Sequence, residues 1–117
     1  MSEVCRVTTD QVGSVVVARL AGEIDVRNAV SVEARLVRVV DEAAGAVVLD
    51  LRGVTFLASS GLSMLVRVHE RCRERDLPWH LVAATREVLR PLEVTGLRAE
   101  LPVVDSVEAA LAAGGVG

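Results

Sequence analysis

The stretch from Val47 to Met64, with the sequence VVLDLRGVTFLASSGLSM, constrains the fold more than any other part of the chain. Its first residues form an apolar run without alternation, which is typical of a central strand covered on both faces. A short predicted turn then leads into two serines, a glycine and the apolar positions of a helix. A buried strand followed closely by a helix is the building unit of a layered α/β domain.

Strand and helix patterns alternate along the rest of the chain. Residues 4–9 and 13–20 are rich in β-branched residues, and they predict an antiparallel hairpin. Residues 22–25 break the strand pattern, and helical spacing then begins at Asn28, the predicted N-cap, and ends at Gly45. A helix is predicted from Gly61 to about Arg75, and a strand follows at 79–83. The next predicted helix starts at about Thr85; Pro91 should end or kink it, and Gly96 stops it. A strand at 101–104 and a helix at 107–113 complete the predicted elements.

These patterns predict one α/β domain over residues 1–117, with a flexible tail at 113–117. The expected architecture is a mixed β-sheet of four to five strands flanked by about four helices. Hydrophobic residues make up 51% of the chain, which is ample for a single core.

Composition and charge exclude several classes of function. Aromatic residues account for only 2% of the chain, with Phe56 and Trp79 as the two examples, so a base-stacking platform is not expected. The 16 acidic and 13 basic residues are spread along the chain without a basic stripe, which argues against direct nucleic-acid binding. The arginines between Arg67 and Arg75 alternate with acidic residues, as on an exposed helix face.

The chain offers no pattern for a membrane, a metal or a cofactor. No apolar run approaches the ~18 residues of a membrane-spanning helix. Cys5 and Cys72 lack CxxC spacing, and no signal-peptide pattern precedes them, so we expect a cytoplasmic protein with reduced thiols. His69 and His80 have no ligand spacing, either with each other or with the cysteines.

The pair Ser59 and Ser60 has three interpretations from the residues alone. As a helix cap, a serine hydroxyl accepts from a backbone N–H and contributes about 1 kcal/mol. As a hydrolase nucleophile it needs Gly-x-Ser-x-Gly and later triad partners, but the first glycine is absent here. As a phosphorylation site it gains about −1.5 to −2 charges at a helix N-terminus, where free N–H groups favour an anion.

The chain resembles a STAS domain of the anti-sigma factor antagonist (anti-anti-sigma factor) family over nearly its whole length. Residues 20–25 (LAGEID) resemble the family's Gly-Glu-Leu-Asp turn after the second strand. Residues 47–51 with 59–62 (SSGL) resemble the strand and the Asp-Ser-Ser-Gly motif, and residues 88–111 resemble the C-terminal end. The three matches occur in the family's order and spacing.

The resemblance implies a partner-switching protein that is not an enzyme. Such proteins bind an anti-sigma factor that is also a serine kinase, and this binding releases a sigma factor. The kinase phosphorylates the serine before the motif glycine, and a PP2C-type phosphatase removes the phosphate. That serine is Ser60 in this chain, with Ser59 as the second choice. The expected partner-binding residues are Asp25, Ala58, Ser59, Ser60, Gly61 and Met64.

One position departs from the family motif. Ala58 stands where the family has an aspartate. If that carboxylate caps the helix or positions the serine, its loss weakens phosphorylation and biases the protein towards binding; alternatively, the partner has changed to match.

A second class of function stays open on the sequence. Other proteins that resemble this one in fold serve the ATPase of an ABC transporter or sense a nucleotide or another small ligand. The chain lacks a GxxxxGK phosphate loop, which argues against tight nucleotide binding. No paired carboxylates or nucleophile with a base suggest catalysis.

Overall fold

The computed structural model describes residues 5–114. Within this range, five strands and five helices follow one another in an order that begins with a hairpin and then alternates helix and strand. The elements are β1 (Cys5–Val12), β2 (Val15–Ile24), α1 (Ala29–Glu42), β3 (Ala46–Leu57), α2 (Ser59–Glu74), β4 (Trp79–Val82), α3 (Arg86–Val94), α4 (Leu97–Glu100), β5 (Val103–Val104) and α5 (Val107–Gly114). The predicted tail begins inside α5, and residues 115–117 lie outside the described residues.

The strands form one mixed sheet in the order β1-β2-β3-β4-β5. The hairpin partners β1 and β2 are antiparallel, while β2, β3, β4 and β5 run parallel. This confirms the predicted mixed α/β sheet and places β3 at its centre. Residues 46–51 of β3 are all buried, as their unbroken apolar run predicts.

The two faces of the sheet carry separate apolar cores. One core joins the sheet to α1, α2 and α3, and it includes the fully buried Leu36, Leu65 and Leu92. The other core is smaller and joins the sheet to α5 through Val107 and Ala110. The second face is therefore only partly covered by helix.

Several predicted boundaries are wrong near the strand ends. Strand β2 continues through the predicted break to Ile24, with register shifts against β3 after Arg19 and after Gly22. Strand β3 continues to Leu57, so the predicted turn before the serines is strand. Helix α2 begins at Ser59 and not at Gly61.

Glycine and proline act differently from their sequence-based roles at two positions. Helix α1 ends at Glu42, and Gly45 instead lies against the hairpin, where a Cβ would come within 2.5 Å of the Ser14 Oγ. Pro91 lies inside α3 without ending it, and the helix ends at Val94, two residues before Gly96, which has a φ of 77°. The one-turn helix α4 that follows was not predicted.

Both cysteines lie buried as thiols. Burial raises the pKa of Cys72 to about 11, which keeps its thiol protonated and poorly nucleophilic at neutral pH. Among residues 5–114, the structure contains no helix that is long and apolar enough to cross a membrane.

Candidate functional site

The N-terminus of α2 is uncapped by any side chain. Ala58 occupies the N-cap position, and its carbonyl accepts from the N–H groups of Gly61 at 2.9 Å and Leu62 at 3.1 Å. The N–H groups of Ser59 and Ser60 donate to no acceptor among the described residues. Free N–H groups at the start of a 16-residue helix carry partial positive charge, so this end favours an anion.

The two serines lie inside the helix and differ in exposure. Ser59 is exposed, whereas Ser60 is only partly exposed and its Oγ is buried. Within the described part of the chain, this Oγ has no hydrogen-bond partner. The interpretation of the serines as helix caps is therefore wrong. A buried hydroxyl without a partner is uncommon, which makes Ser60 a functional candidate.

Gly61 allows α2 to start close to the sheet. A Cβ at this position would lie 2.6 Å from the Leu57 Cδ1 and 2.9 Å from the Ile24 Cγ2, so these two side chains would have to move to admit it. The backbone N–H of Ala58 also donates to the Ile24 carbonyl at 2.9 Å. These contacts hold the serine segment beside the turn that follows β2 and contains Asp25.

Hydrogen bonds fix the Asp25 turn. The Asp25 carboxylate accepts from the Arg27 backbone N–H at 2.9 Å and from the Arg27 Nη2 at 2.6 Å. The side-chain hydrogen bond from Arg27 is the main reason that the pKa of Asp25 lies below its usual value. The acid therefore stays ionised and paired with Arg27 at neutral pH.

Asn28 holds the same turn from inside. It is the residue before α1, as predicted, but its side chain makes no cap. Its Oδ1 accepts from the Asp25 N–H at 3.0 Å, and its Nδ2 donates to the Glu23 carbonyl at 2.8 Å. Sequence reasoning missed this role, although an Asp-x-x-Asn spacing was the available signal.

Exposed apolar side chains lie next to both segments. Val26 is 80% exposed directly after Asp25, and Val30 is 79% exposed in the first turn of α1. Phe56 is 51% exposed near the end of β3, two residues before Ala58. Exposed large apolar residues mark interaction sites when they gather in one region. Their exposure depends on the fold and could not be read from the sequence.

Met64 does not lie on the surface with the other predicted contact residues. It is fully buried one turn after Ser60, so it supports the start of α2 from the core. The exposed side of the helix instead borders a groove of about 270 Å³, which reaches the segment between α3 and α4. The residues that line this groove are Ser59, Leu62, Ser63, Val66, Thr95 and Leu97.

Comparison with known families accounts for this arrangement. The family model described as "STAS domain" matches residues 6–110. The chain belongs to the STAS domain family. The segments at residues 20–25 and 59–62 that resemble STAS motifs both lie within the matched range.

Relatives of this STAS domain match it along most of its length. BtrV of Bordetella bronchiseptica, named as an anti-sigma factor antagonist, is 32% identical over 92% of this chain and 93% of its own. Rv2638 of Mycobacterium tuberculosis, named as an anti-anti-sigma factor, is 33% identical over 96% of this chain and 77% of its own. The crystal structure of an anti-sigma factor antagonist from Mycobacterium paratuberculosis superposes with a TM-score of 0.84 at 30% identity, covering 94% of this chain and 93% of that one.

Proposed function

We propose that this STAS domain is an anti-sigma factor antagonist. In its unphosphorylated form it binds an anti-sigma factor and thereby releases a sigma factor. The names of the relatives support this role. One observation carries the proposal. The hydrogen bond between Ala58 and Ile24 places the uncapped start of α2, which bears the serines, next to the Asp25 turn and its exposed valines. The protein acts by binding and not by catalysis.

The partner contacts the exposed residues of both segments. Val26 and Val30 supply apolar area, and full burial of a valine contributes about 1.5–3 kcal/mol. Asp25 is already held by Arg27, so it offers a fixed charge at the edge of this surface. Ser59 and Ala58 complete the contact, while Gly61 and Met64 shape it from beneath.

Ser60 is the phosphorylation site of this proposal. Its Oγ is buried, but the residue is partly exposed, so rotation about the Cα–Cβ bond to another staggered rotamer is the smallest movement that presents the hydroxyl. A phosphate there adds about −1.5 to −2 charges beside free N–H groups that favour it, so the fold tolerates the modification. The same charge opposes an apolar partner, and a 100-fold loss of affinity requires about 2.7 kcal/mol.

The enzymes of the cycle are separate proteins in the cytoplasm. The partner is an anti-sigma factor with serine kinase activity, and a PP2C-type phosphatase removes the phosphate. Ala58 leaves the helix without the carboxylate that the motif supplies, which favours slow phosphorylation and a protein that stays competent to bind.

The test is phosphorylation by a purified anti-sigma kinase with ATP, followed by mass spectrometry of the modified peptide. We expect one phosphate on Ser60, which Ser60→Ala abolishes and the matched variant Ser59→Ala retains. Phosphate on Ser59, or none on either serine, would contradict the assignment. Recovery of an ABC transporter ATPase in place of an anti-sigma factor in a pull-down would contradict the proposed partner.

A further inference from the structure

A hollow lies on the part of the sheet that α5 leaves uncovered. Val15 and Val17 of β2 pack against α5, but Arg19 continues the same alternation and reaches the open part of this face. The hollow has a volume of about 470 Å³. Arg6, Arg19 and Arg52 line it together with Asp50, Ala21 and Gly53. It lies across the sheet from α1 and α2.

A buried carboxylate fixes Arg52 in this hollow. Asp50 is 3% exposed, and it accepts from the Arg52 Nε at 2.9 Å and the Arg52 Nη2 at 2.8 Å. Burial acts to raise the pKa of Asp50, but the hydrogen bonds and charges of Arg52, with the charge of Arg19, lower it overall. Arg52 is thereby held in one orientation, and its Nη1 makes no hydrogen bond with the described residues.

The other two arginines keep unused donors. Arg19 pairs through Nη1 with the exposed Asp10, and its Nε lies 3.7 Å from the Asp50 Oδ2. Its Nη2 has no hydrogen-bond partner in the described part of the chain. The guanidinium of Arg6 forms no ion pair or hydrogen bond with the side chains or backbone of residues 5–114. Arg52 pairs with Asp50 and Arg19 pairs with Asp10, so among the residues that the structure describes no carboxylate pairs with Arg6.

Gly53 keeps the floor of the hollow open and apolar. A Cβ at this position would lie 3.0 Å from the Leu20 carbonyl oxygen and 3.1 Å from the Ala21 Cβ. The hollow thus combines a small apolar floor with guanidinium groups around it. Its volume falls within the 300–1,000 Å³ that is usual for small-molecule sites.

We propose that this hollow binds a small phosphate monoester. Guanidinium forks match the oxygens of a phosphate group, and more than one arginine can donate to the same phosphate. The apolar floor at Ala21 and Gly53 accommodates the organic part of the ligand. This site is on the opposite face of the sheet from α2, and the proposal does not depend on the function assigned to Ser60.

The test is a titration of the ¹⁵N-labelled full chain followed by NMR, with inorganic phosphate and phenyl phosphate as probes. We expect saturable shifts at the amides of Arg6, Arg19, Ala21 and Gly53, with tighter binding of phenyl phosphate. Arg6→Ala should weaken binding at least about tenfold, since it removes a charged donor. The control Arg73→Ala removes the same charge from exposed surface outside the hollow and should leave affinity unchanged.

A second variant distinguishes binding in this hollow from non-specific attraction of anions to the protein surface. Asp10→Asn frees Arg19 from its carboxylate and should tighten phenyl phosphate binding. Thermal melts confirm that each variant is folded. The proposal is overturned if the hollow amides do not shift, if Arg6→Ala and Arg73→Ala weaken binding equally, or if Asp10→Asn fails to tighten it.

Discussion

The substitution Ala58→Asp tests how the start of α2 works. An N-cap side chain accepts from the N–H two or three residues further on. The Gly61 N–H already bonds to the Ala58 carbonyl at 2.9 Å, whereas the Ser60 N–H has no acceptor among the described residues. The introduced carboxylate therefore gains a hydrogen bond that nothing else in this part of the chain supplies.

The expected gain follows from this one donor and the helix dipole. Replacing alanine by a good N-cap residue stabilises by about 1 kcal/mol, and a negative charge at a helix N-terminus adds about 0.3–1 kcal/mol. A domain of this size shifts its Tm by roughly 4 °C for each kcal/mol. Ala58→Asp should therefore raise the free energy of unfolding by about 1–2 kcal/mol and the Tm by about 4–8 °C.

Urea denaturation and thermal melts measure the effect, with two matched controls. Ala34→Asp adds the same charge at an exposed position inside α1 and should not stabilise. Ala58→Asn supplies the cap without charge. The positive end of the helix lowers the pKa of the introduced acid. The stability that Ala58→Asp gains beyond Ala58→Asn is therefore present above about pH 4 and is lost as pH falls further, while the stability gained by Ala58→Asn persists. A variant no more stable than the parent at pH 7 would refute the reasoning.

Three further outcomes follow from the same structure. Gly61→Ala should lower the free energy of unfolding by about 1–3 kcal/mol, because its Cβ overlaps core side chains. The control Ser63→Ala changes an exposed residue of the same helix and should change the free energy of unfolding by less than about 0.5 kcal/mol. Equal effects of the two substitutions in urea denaturation would contradict this prediction. Asp50→Asn should cost about 1–3 kcal/mol, because it removes the buried negative charge and replaces one of the two oxygens that accept from Arg52 with an amide NH2 group; an unchanged denaturation midpoint would show that the ion pair contributes nothing. Burial lowers the pKa of His80, so the unfolded chain takes up a proton at a higher pH than the folded chain does, and stability should fall as pH drops below about 6.5. Thermal melts of His80→Gln should lack this part of the pH dependence. Identical pH profiles for the variant and the parent would rule out this role of His80.

Local patterns predicted the order of elements well but misplaced the strand ends. Gly22 and Glu23 interrupt the strand pattern of β2, yet Gly22 pairs with Val54 and Ile24 pairs with Leu57 in the finished sheet. Pairing with β3 outweighs the weak local preference of these residues, and no local pattern contains that information. The same long-range pairing extends β3 to the serines.

The sequence indicated which segments form the candidate site but not which of their side chains are exposed. The motifs indicated Ser60 and Asp25 as candidates, and the hydrogen bond from the Ala58 N–H to the Ile24 carbonyl links the two segments that contain them. The choice of contact residues failed at Met64, which is buried because α2 packs against both the sheet and α1. The exposure of Val26 depends equally on tertiary packing and had no sequence signal.

The central claim is that a phosphate on Ser60 separates this STAS domain from its anti-sigma partner. The most direct measurement is calorimetric titration of that partner with the unmodified chain and with the chain phosphorylated on Ser60. We predict that phosphorylation weakens binding about 100-fold, which corresponds to about 2.7 kcal/mol, while the Tm of the modified chain does not fall. Equal affinities for the two forms would contradict the account.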